Sequence, residues 1–244
     1  MRLISLSSLI FSAICAVSSP VAAEPTPVVV ELFTSQGCSS CPPADELVKR
    51  LSEREDILPL AFHVDYWDYL GWKDIFSSSE FSTRQRLHQH QGNINSVYTP
   101  GFVVSGKEWR TWFGQRQLPK QPQQFPGNLR LKLDGDRYTV EFDGNSELAN
   151  QTLTLHFAKL GMGIQTKVSR GENAGRKLKH DFVVLSMHSQ RSDSKRWRGK
   201  LSRLEDINRE ANAIPRQQTA YAAWITAGDS LEPIQVVGGL YPAQ

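Results

Sequence analysis

The chain has 244 residues, and its 28 Lys and Arg against 25 Asp and Glu leave a formal net charge of only +3 at pH 7. That length is enough for one large domain or two small ones with packed cores. The small net charge indicates no particular partner, and after the N-terminal segment no run is long and apolar enough to cross a bilayer. The sequence therefore excludes a membrane-spanning segment from the mature chain.

Residues 1–23 have the pattern of a secretory signal peptide. One basic residue, Arg2, precedes an apolar run over residues 3–17, and the small-residue ending Val21-Ala22-Ala23 follows. We expect cleavage after Ala23, and an uncleaved signal anchor is the alternative. The mature chain is then expected in the periplasm or outside the cell.

Removal of the signal peptide leaves two cysteines, Cys38 and Cys41, in a compartment that permits disulfides. A loop this short constrains the unfolded chain little, so one such disulfide contributes little stability. A small secreted scaffold that depends on disulfides would carry several pairs. The pair therefore indicates a chemically active site rather than a disulfide that serves only to stabilise the fold.

The first half alternates strands and helices. Its two predicted central strands are continuous apolar runs, typical of strands buried on both faces. The elements predicted in chain order are a strand over 28–34, a helix over 43–54, a strand over 57–64, a helix from a capping box at 77–80 to about 92, and a hairpin over 102–105 and 108–113. This order predicts an α/β sheet within residues 24–116.

The second half changes character. Residues 117–128 are rich in Pro and Gln and predict a linker or an irregular edge. Short strands separated by turn signals follow, over 129–133, 138–142, 151–159, 164–169, 182–188, 219–226 and 234–237. Such a series predicts an antiparallel, sandwich-like β-rich domain over residues 129–244.

The cysteines fall where the first predicted strand gives way to the first helix. Unpaired N–H groups and the positive dipole end at a helix N-terminus stabilise a thiolate. Cys38 is outermost, so we expect it to be the exposed nucleophile of low pKa, and Cys41, one turn deeper, to resolve a mixed disulfide. Pro42 and Pro43 suit the first turn, where no intrahelical donor is needed.

Two further segments are candidates for substrate binding. Thr99–Pro100 precedes a predicted strand, which is where a cis-proline would face the cysteine pair and leave backbone free for an extended substrate. An ordinary trans turn proline is the alternative. Trp67 and Trp72 follow the second strand and are expected either to line the same groove or to pack their own segment.

His63 and Asp65 lie at the carboxyl end of the second predicted strand, the edge where α/β sheets place their ligands. Both are candidates for tuning the pKa of Cys38. With the two cysteines they are also candidates for a metal site. The simpler alternative is that they only anchor the loop by hydrogen bonds.

The stretch FTSQGCSSCP at residues 33–42, with Thr99–Pro100 and the strand after it, resembles the thioredoxin superfamily. A glycine directly before the first cysteine resembles glutaredoxins more than thioredoxins. With HVDYWDYLGWKD at 63–74 and Arg84-Gln85, the chain is more closely similar to a bacterial family of secreted thioredoxin-like proteins of unassigned function. The resemblance covers residues 28–115, and more weakly RGENAGR at 170–176.

This resemblance implies an α/β thioredoxin-like domain over residues 24–116, followed by the β-rich domain. It also implies a buried acid on the first strand that accepts the proton of the deeper cysteine. Glu31 is the nearest candidate for that acid, and a plain surface or edge glutamate is the alternative. One departure is that residues 117–127 are too rich in proline for the long helix that normally closes the fold.

Three functional hypotheses follow. The leading one is a thiol–disulfide oxidoreductase that acts on protein thiols and disulfides through Cys38 and Cys41, with no resident cofactor or metal. The second is a periplasmic copper-handling protein that binds metal through both thiolates and His63. The third is a binding module whose disulfide is inert.

A basic stretch remains unassigned by these hypotheses. Residues 167–209 carry twelve Lys and Arg against five Asp and Glu. Such a cluster suits an acidic protein or an anionic membrane surface, although a solvated basic face is the simpler interpretation. It lacks a nucleic-acid-binding motif, so we expect no nucleic-acid partner.

Overall fold

The computed structural model describes residues 26–114, 117–121, 126–208, 210–211 and 214–240, so the predicted signal peptide lies outside the described residues. The strands are β1 (Val28–Thr34), β2 (Ile57–His63), β3 (Gly101–Val104), β4 (Lys107–Glu108), β5 (Gly127–Asp134), β6 (Arg137–Gly144), β7 (Leu153–Met162), β8 (Ile164–Lys167), β9 (Lys177–His180), β10 (Val183–Ser192), β11 (Arg196–Lys200), β12 (Gln218–Ala227) and β13 (Gln235–Leu240). The α-helices are α1 (Pro42–Leu51) and α2 (Ser79–His90), and short 3-10 helices lie at Asp68–Leu70, Arg110–Phe113, Ser146–Leu148 and Leu201–Arg203.

One mixed sheet of eight strands forms the centre of the protein, in the order β13-β12-β7-β10-β2-β1-β3-β4. β1 and β2 are parallel, with Thr34 opposite His63. β2 also pairs with β10 in parallel at Ala61 and Val183, while β7, β12 and β13 add antiparallel strands beyond β10.

The predicted fold class, an α/β thioredoxin-like domain followed by a separate β-rich domain, is therefore wrong. The protein is mostly β, and strands from both halves of the chain share one sheet. The physical reason lies at β2. All seven of its residues are buried, so the edge that faces away from β1 needs a partner, and Phe182, directly before β10, accepts the Ala61 N–H at 2.9 Å.

The two helices cover opposite faces of this sheet. Because side chains alternate along a strand, Val30 and Leu32 of β1 pack with α1, whereas Val29 and Phe33 pack on the side of α2. Each of these four side chains is at most 1% exposed. β1 thus lies between two cores, which fixes the start of the loop that follows it.

A second sheet of three strands, in the order β11-β6-β5, packs against the β7–β12 part of the large sheet. Val140 and Trp197 of the small sheet share a core with Phe157 and Ile225 of the large one. The predicted strands of the second half are present, and β9 and β11 are additional. The predicted strand over 108–113 is wrong, since only Lys107–Glu108 pairs and Arg110–Phe113 forms a 3-10 helix.

The hairpin β8–β9 does not belong to either of these sheets. Its strands pair with Ile164 opposite His180 and Lys167 opposite Lys177, and β9 lies beside α1. The hairpin therefore brings its turn, residues 168–176, to the N-terminal end of α1. Within the described residues, no helix is long and apolar enough to span a membrane.

Candidate functional site

Cys38 and Cys41 form a disulfide in the loop between β1 and α1, with their Cα atoms 5.4 Å apart. Cys41 is the N-cap of α1, and Pro42 and Pro43 occupy the first helical positions as the sequence predicts. The positive dipole end of α1 therefore lies at the disulfide. Pro42 and Pro43 have no N–H, and the Ala44 N–H donates to the Cys41 backbone oxygen at 2.8 Å.

Both cysteines are fully buried, so the expectation of an exposed Cys38 is wrong. The covering loop, defined as residues 168–176, is the reason. Asn173 donates to the backbone oxygens of Gln36 and Cys38 at 2.9 Å each. The Glu172 carboxylate accepts the Ser39 N–H at 3.1 Å. These contacts hold the loop over the cysteine pair.

The Asn173 side chain is itself fixed from the other side. It is fully buried, and its Oδ1 accepts a hydrogen bond from Arg176 Nη1 at 2.7 Å. Ser39 and Ser40 remain exposed, and the Cys38 sulfur lies 3.4 Å from the Ser40 hydroxyl. The Cys38 sulfur thus has a polar contact with an exposed residue.

The Thr99–Pro100 peptide bond is cis, as predicted. Trp67 connects this segment to the cysteine loop, because its indole N–H donates to Thr99 Oγ1 at 2.8 Å and its Cβ would lie 3.1 Å from a Cβ added at Gly37. Trp72, unlike Trp67, bonds to the cysteine loop. Its indole donates to Gln36 Oε1 at 3.0 Å, so it packs within the cysteine-loop framework.

Glu31 and Asp65 are not brought to the cysteine pair. Glu31 lies on the α2 face of β1, where it accepts two hydrogen bonds from Arg84 at 2.6 and 2.9 Å and lies 3.3 Å from His88 Nε2. Burial would raise the pKa of Glu31, but the charges and hydrogen bonds of Arg84 and His88 outweigh it and lower that pKa. Asp65 accepts a short hydrogen bond from Ser82, so it anchors its loop to α2.

His63 lies on the α1 face and forms a buried ion pair with Asp74, with Nδ1 and Oδ2 2.7 Å apart. Burial would lower the pKa of His63, but the Asp74 carboxylate outweighs it, and the pKa is raised. The pKa of Asp74 is lowered in turn, because His63 offsets the effect of burial. Asp74 also accepts the Gln36 N–H at 2.8 Å, so the pair fixes the backbone just before Gly37 and Cys38.

Sequence reasoning missed Asp45 and His180, which complete this buried polar cluster. Asp45 lies one helical turn after Cys41. Its Oδ1 accepts a hydrogen bond from the Thr34 hydroxyl at 3.4 Å, and its Oδ2 lies 3.5 Å from His180 Nδ1. The His180 and His63 rings are 5.1 Å apart. The only sequence signal was the i, i+4 spacing of Cys41 and Asp45, which puts both on one helix face.

The described residues contain no group of three or more His, Cys, Asp or Glu side chains arranged to hold a metal ion. In the disulfide form the sulfurs are bonded to each other. His63 Nδ1 pairs with Asp74, and the buried Nε2 has no hydrogen-bond partner among the described residues. The arrangement supports chemistry at the disulfide itself, which is a buried S–S bond at a helix N-terminus under a hydrogen-bonded covering loop.

Two solved structures are similar to this chain. The crystal structure of protein AGR_C_4864 from Agrobacterium tumefaciens is 26% identical, with a TM-score of 0.62 over 90% of this chain and 95% of that one. HBP35 of Porphyromonas gingivalis is 14% identical, with a TM-score of 0.57 over 90% of this chain and 76% of that one, which is a likeness of fold alone.

No curated protein matches the chain. One family description, "Protein of unknown function (DUF1223)", matches residues 29–239, which include both halves of the large sheet and the whole of the cysteine site. The chain belongs to the DUF1223 family.

Proposed function

We propose that this protein is a thiol–disulfide oxidoreductase that acts on protein thiols and disulfides in the periplasm or outside the cell. The observation that carries the proposal is the Cys38–Cys41 disulfide at the N-terminus of α1, inside a framework of buried polar side chains. A disulfide that encloses two residues stabilises a fold very little. Stability therefore does not account for a framework of this extent.

The chemistry starts when a substrate thiolate attacks Cys38 Sγ. A new S–S bond joins substrate to Cys38, the Cys38–Cys41 bond breaks, and Cys41 leaves as a thiolate. The N-terminus of α1 stabilises that negative charge, because Cys41 is its N-cap. A second substrate thiolate then attacks the substrate sulfur of the mixed disulfide. A substrate disulfide forms, the bond to Cys38 breaks, and Cys38 leaves as a thiolate, so two electrons pass from substrate to the cysteine pair. The reverse sequence reduces a substrate disulfide.

Attack on Cys38 requires the covering loop to move, since both sulfurs are fully buried. The loop is suited to this, because the side-chain hydrogen bonds that join it to the cysteine segment among the described residues involve only Glu172, which accepts one, and Asn173, which donates two. Local opening of such a segment costs less than global unfolding. Substrate access is therefore a local event at the hairpin turn.

The proposal is tested by Cys41→Ala expressed with its N-terminal segment in the native compartment. This variant keeps the Cys38 thiolate but lacks the thiol that resolves a mixed disulfide, so adducts with partner proteins should accumulate and reductant should release them. Cys38→Ala is the matched control and should collect few adducts. A folded Cys41→Ala variant that forms no reductant-sensitive adducts would overturn the proposal.

A further inference from the structure

The hairpin β8–β9 has one buried face and one cationic face. Alternation along the two strands buries Thr166, Leu178 and His180 and exposes the side chains between them. The cationic face consists of five exposed side chains on the outer face and turn of the hairpin: Lys167, Arg170, Arg176, Lys177 and Lys179.

These charges are not neutralised within the part of the chain that the structure describes. Lys167 and Lys177 stand directly opposite each other in the strand register. Like charges at paired positions of two antiparallel strands destabilise the pair. Neither they nor Lys179 or Arg170 has an ion-pair partner within 4 Å among the described residues. An anionic partner would reduce the electrostatic repulsion between these cations.

The cationic face has a fixed position relative to the disulfide. Glu172 and Asn173, in the turn of the same hairpin, bond to Ser39 and Cys38. Glu172 is the only carboxylate within residues 164–180, and it is engaged by the Ser39 N–H. A ligand on this face is therefore held beside the cysteine pair.

A groove of about 390 Å³ runs between the hairpin and α1. Its α1 side starts at Pro42, the residue after Cys41, and its hairpin side is formed by residues 176–179. Glu46 is the exposed acid that lines it, and Asp45, which also lines it, is buried against His180. A smaller groove of about 180 Å³ shares Lys179 with it and is also lined by Lys49 and Asp181.

We propose that this groove binds an acidic segment of the polypeptide substrate and so gives the enzyme a preference for thiols in acidic surroundings. The proposal rests on the oxidoreductase function proposed above. Lys177 and Lys179 are two residues apart on one strand face, about 7 Å. That spacing matches alternate side chains of an extended peptide. A concave groove also favours a peptide chain over a flat anionic bilayer.

The expected effect is on the rate of encounter. Complementary charge beside a reactive group raises association rates by roughly 10- to 1,000-fold. Salt weakens this attraction, since the Debye length falls to about 3 Å at 1 M. We therefore expect a preference for acidic substrates that is large at low salt and nearly absent at high salt.

The test uses two synthetic peptides with one cysteine each and either four Glu or four Gln at the same flanking positions. For each peptide, the single-turnover rate constant for attack on the oxidised protein is measured. It is divided by the rate constant for attack of the same peptide on hydroxyethyl disulfide, an uncharged reference, to correct for the intrinsic reactivity of the thiol. At low salt the Glu peptide should react about tenfold faster after this correction. Lys167→Gln, Lys177→Gln and Lys179→Gln combined should abolish the difference.

The matched control removes three exposed cations from the small sheet, with Arg130→Gln, Lys132→Gln and Arg198→Gln, and should keep the preference. Equal corrected rates for the two peptides with the wild-type protein would overturn this proposal alone. Failure of both peptides to react would overturn the oxidoreductase function together with it. Binding of phosphatidylserine vesicles that the hairpin triple variant loses, with no peptide preference, would assign the face to membranes and overturn the proposal.

Discussion

Asn173→Ala should make the disulfide more reactive by weakening its cover. Asn173 is fully buried and donates two hydrogen bonds of 2.9 Å, to Gln36 and Cys38, that hold the covering loop on the cysteine segment. Each such bond contributes about 1 kcal/mol net, so losing both lowers the free energy of opening by about 2 kcal/mol. Since about 1.4 kcal/mol is a factor of ten, the open population should rise about 30-fold.

The assay is the second-order rate of reduction by dithiothreitol without denaturant, followed by alkylation of the released thiols. If reduction occurs only through the opened loop, the rate should rise in proportion to the open population. Val140→Ala is the matched control, because Val140 is fully buried in the core beneath the small sheet and its truncation costs about 2 kcal/mol elsewhere.

Acceleration by Asn173→Ala but not by Val140→Ala identifies opening of the loop as the route to the disulfide. Equal acceleration by both variants would mean that the disulfide is reached only by global unfolding. An unchanged rate in a destabilised Asn173→Ala variant would refute the reasoning altogether. Glu172→Gln, which weakens only the bond to Ser39, should give a smaller increase and serves if Asn173→Ala does not fold.

Two further predictions concern the buried ion pairs. Glu31→Gln should cost about 3–5 kcal/mol of unfolding free energy, because it leaves the buried Arg84 without its counter-charge. Denaturant unfolding measures this cost, with the exposed Glu53→Gln as the control. A change in cysteine reactivity without loss of stability would contradict the prediction. Asp74→Asn should destabilise the protein most between about pH 4 and pH 6.5. The raised pKa of His63 gives stability that is lost above about pH 6.5, and the lowered pKa of Asp74 gives stability that is lost below about pH 4. A difference between wild type and Asp74→Asn that grows above pH 7 would refute this pairing.

Local structure around the cysteines could be predicted because its signals lie within about twenty residues. The apolar run over Val28–Thr34 indicates a strand buried on both faces, and β1 has neighbours on both sides. Pro42 and Pro43 mark the first turn of α1. The cis bond at Thr99–Pro100 was also expected from the apolar strand that follows it.

The fold class could not be predicted from the same signals, because an apolar run reports burial and not the identity of the neighbour. Residues 57–63 are as apolar as a central strand requires, whether the next strand comes from the first half or from β10. The pairing of Ala61 with Val183 joins distant parts of the chain. No local sequence pattern therefore indicates that strands from the two halves share one sheet.

The site was only partly predictable for a related reason. Cys38 and Cys41 could be found from their position between a strand and a helix, Trp67 from its place after β2, and Thr99 from its place before β3. The covering loop could not, since a polar, glycine-containing segment such as RGENAGR is typical of an exposed turn, and Asn173 acts on backbone oxygens that have no sequence signature. The role expected of Glu31 depended on which face of β1 meets α1.

The reduction potential of the Cys38–Cys41 pair tests the central claim most directly. The protein is equilibrated in thiol–disulfide buffers of known potential and its free thiols are counted. An exchange-active pair should titrate as one two-electron couple within roughly −120 to −270 mV, the range of thiol–disulfide oxidoreductases. A pair that stays oxidised below about −300 mV would be a structural disulfide and would contradict the account.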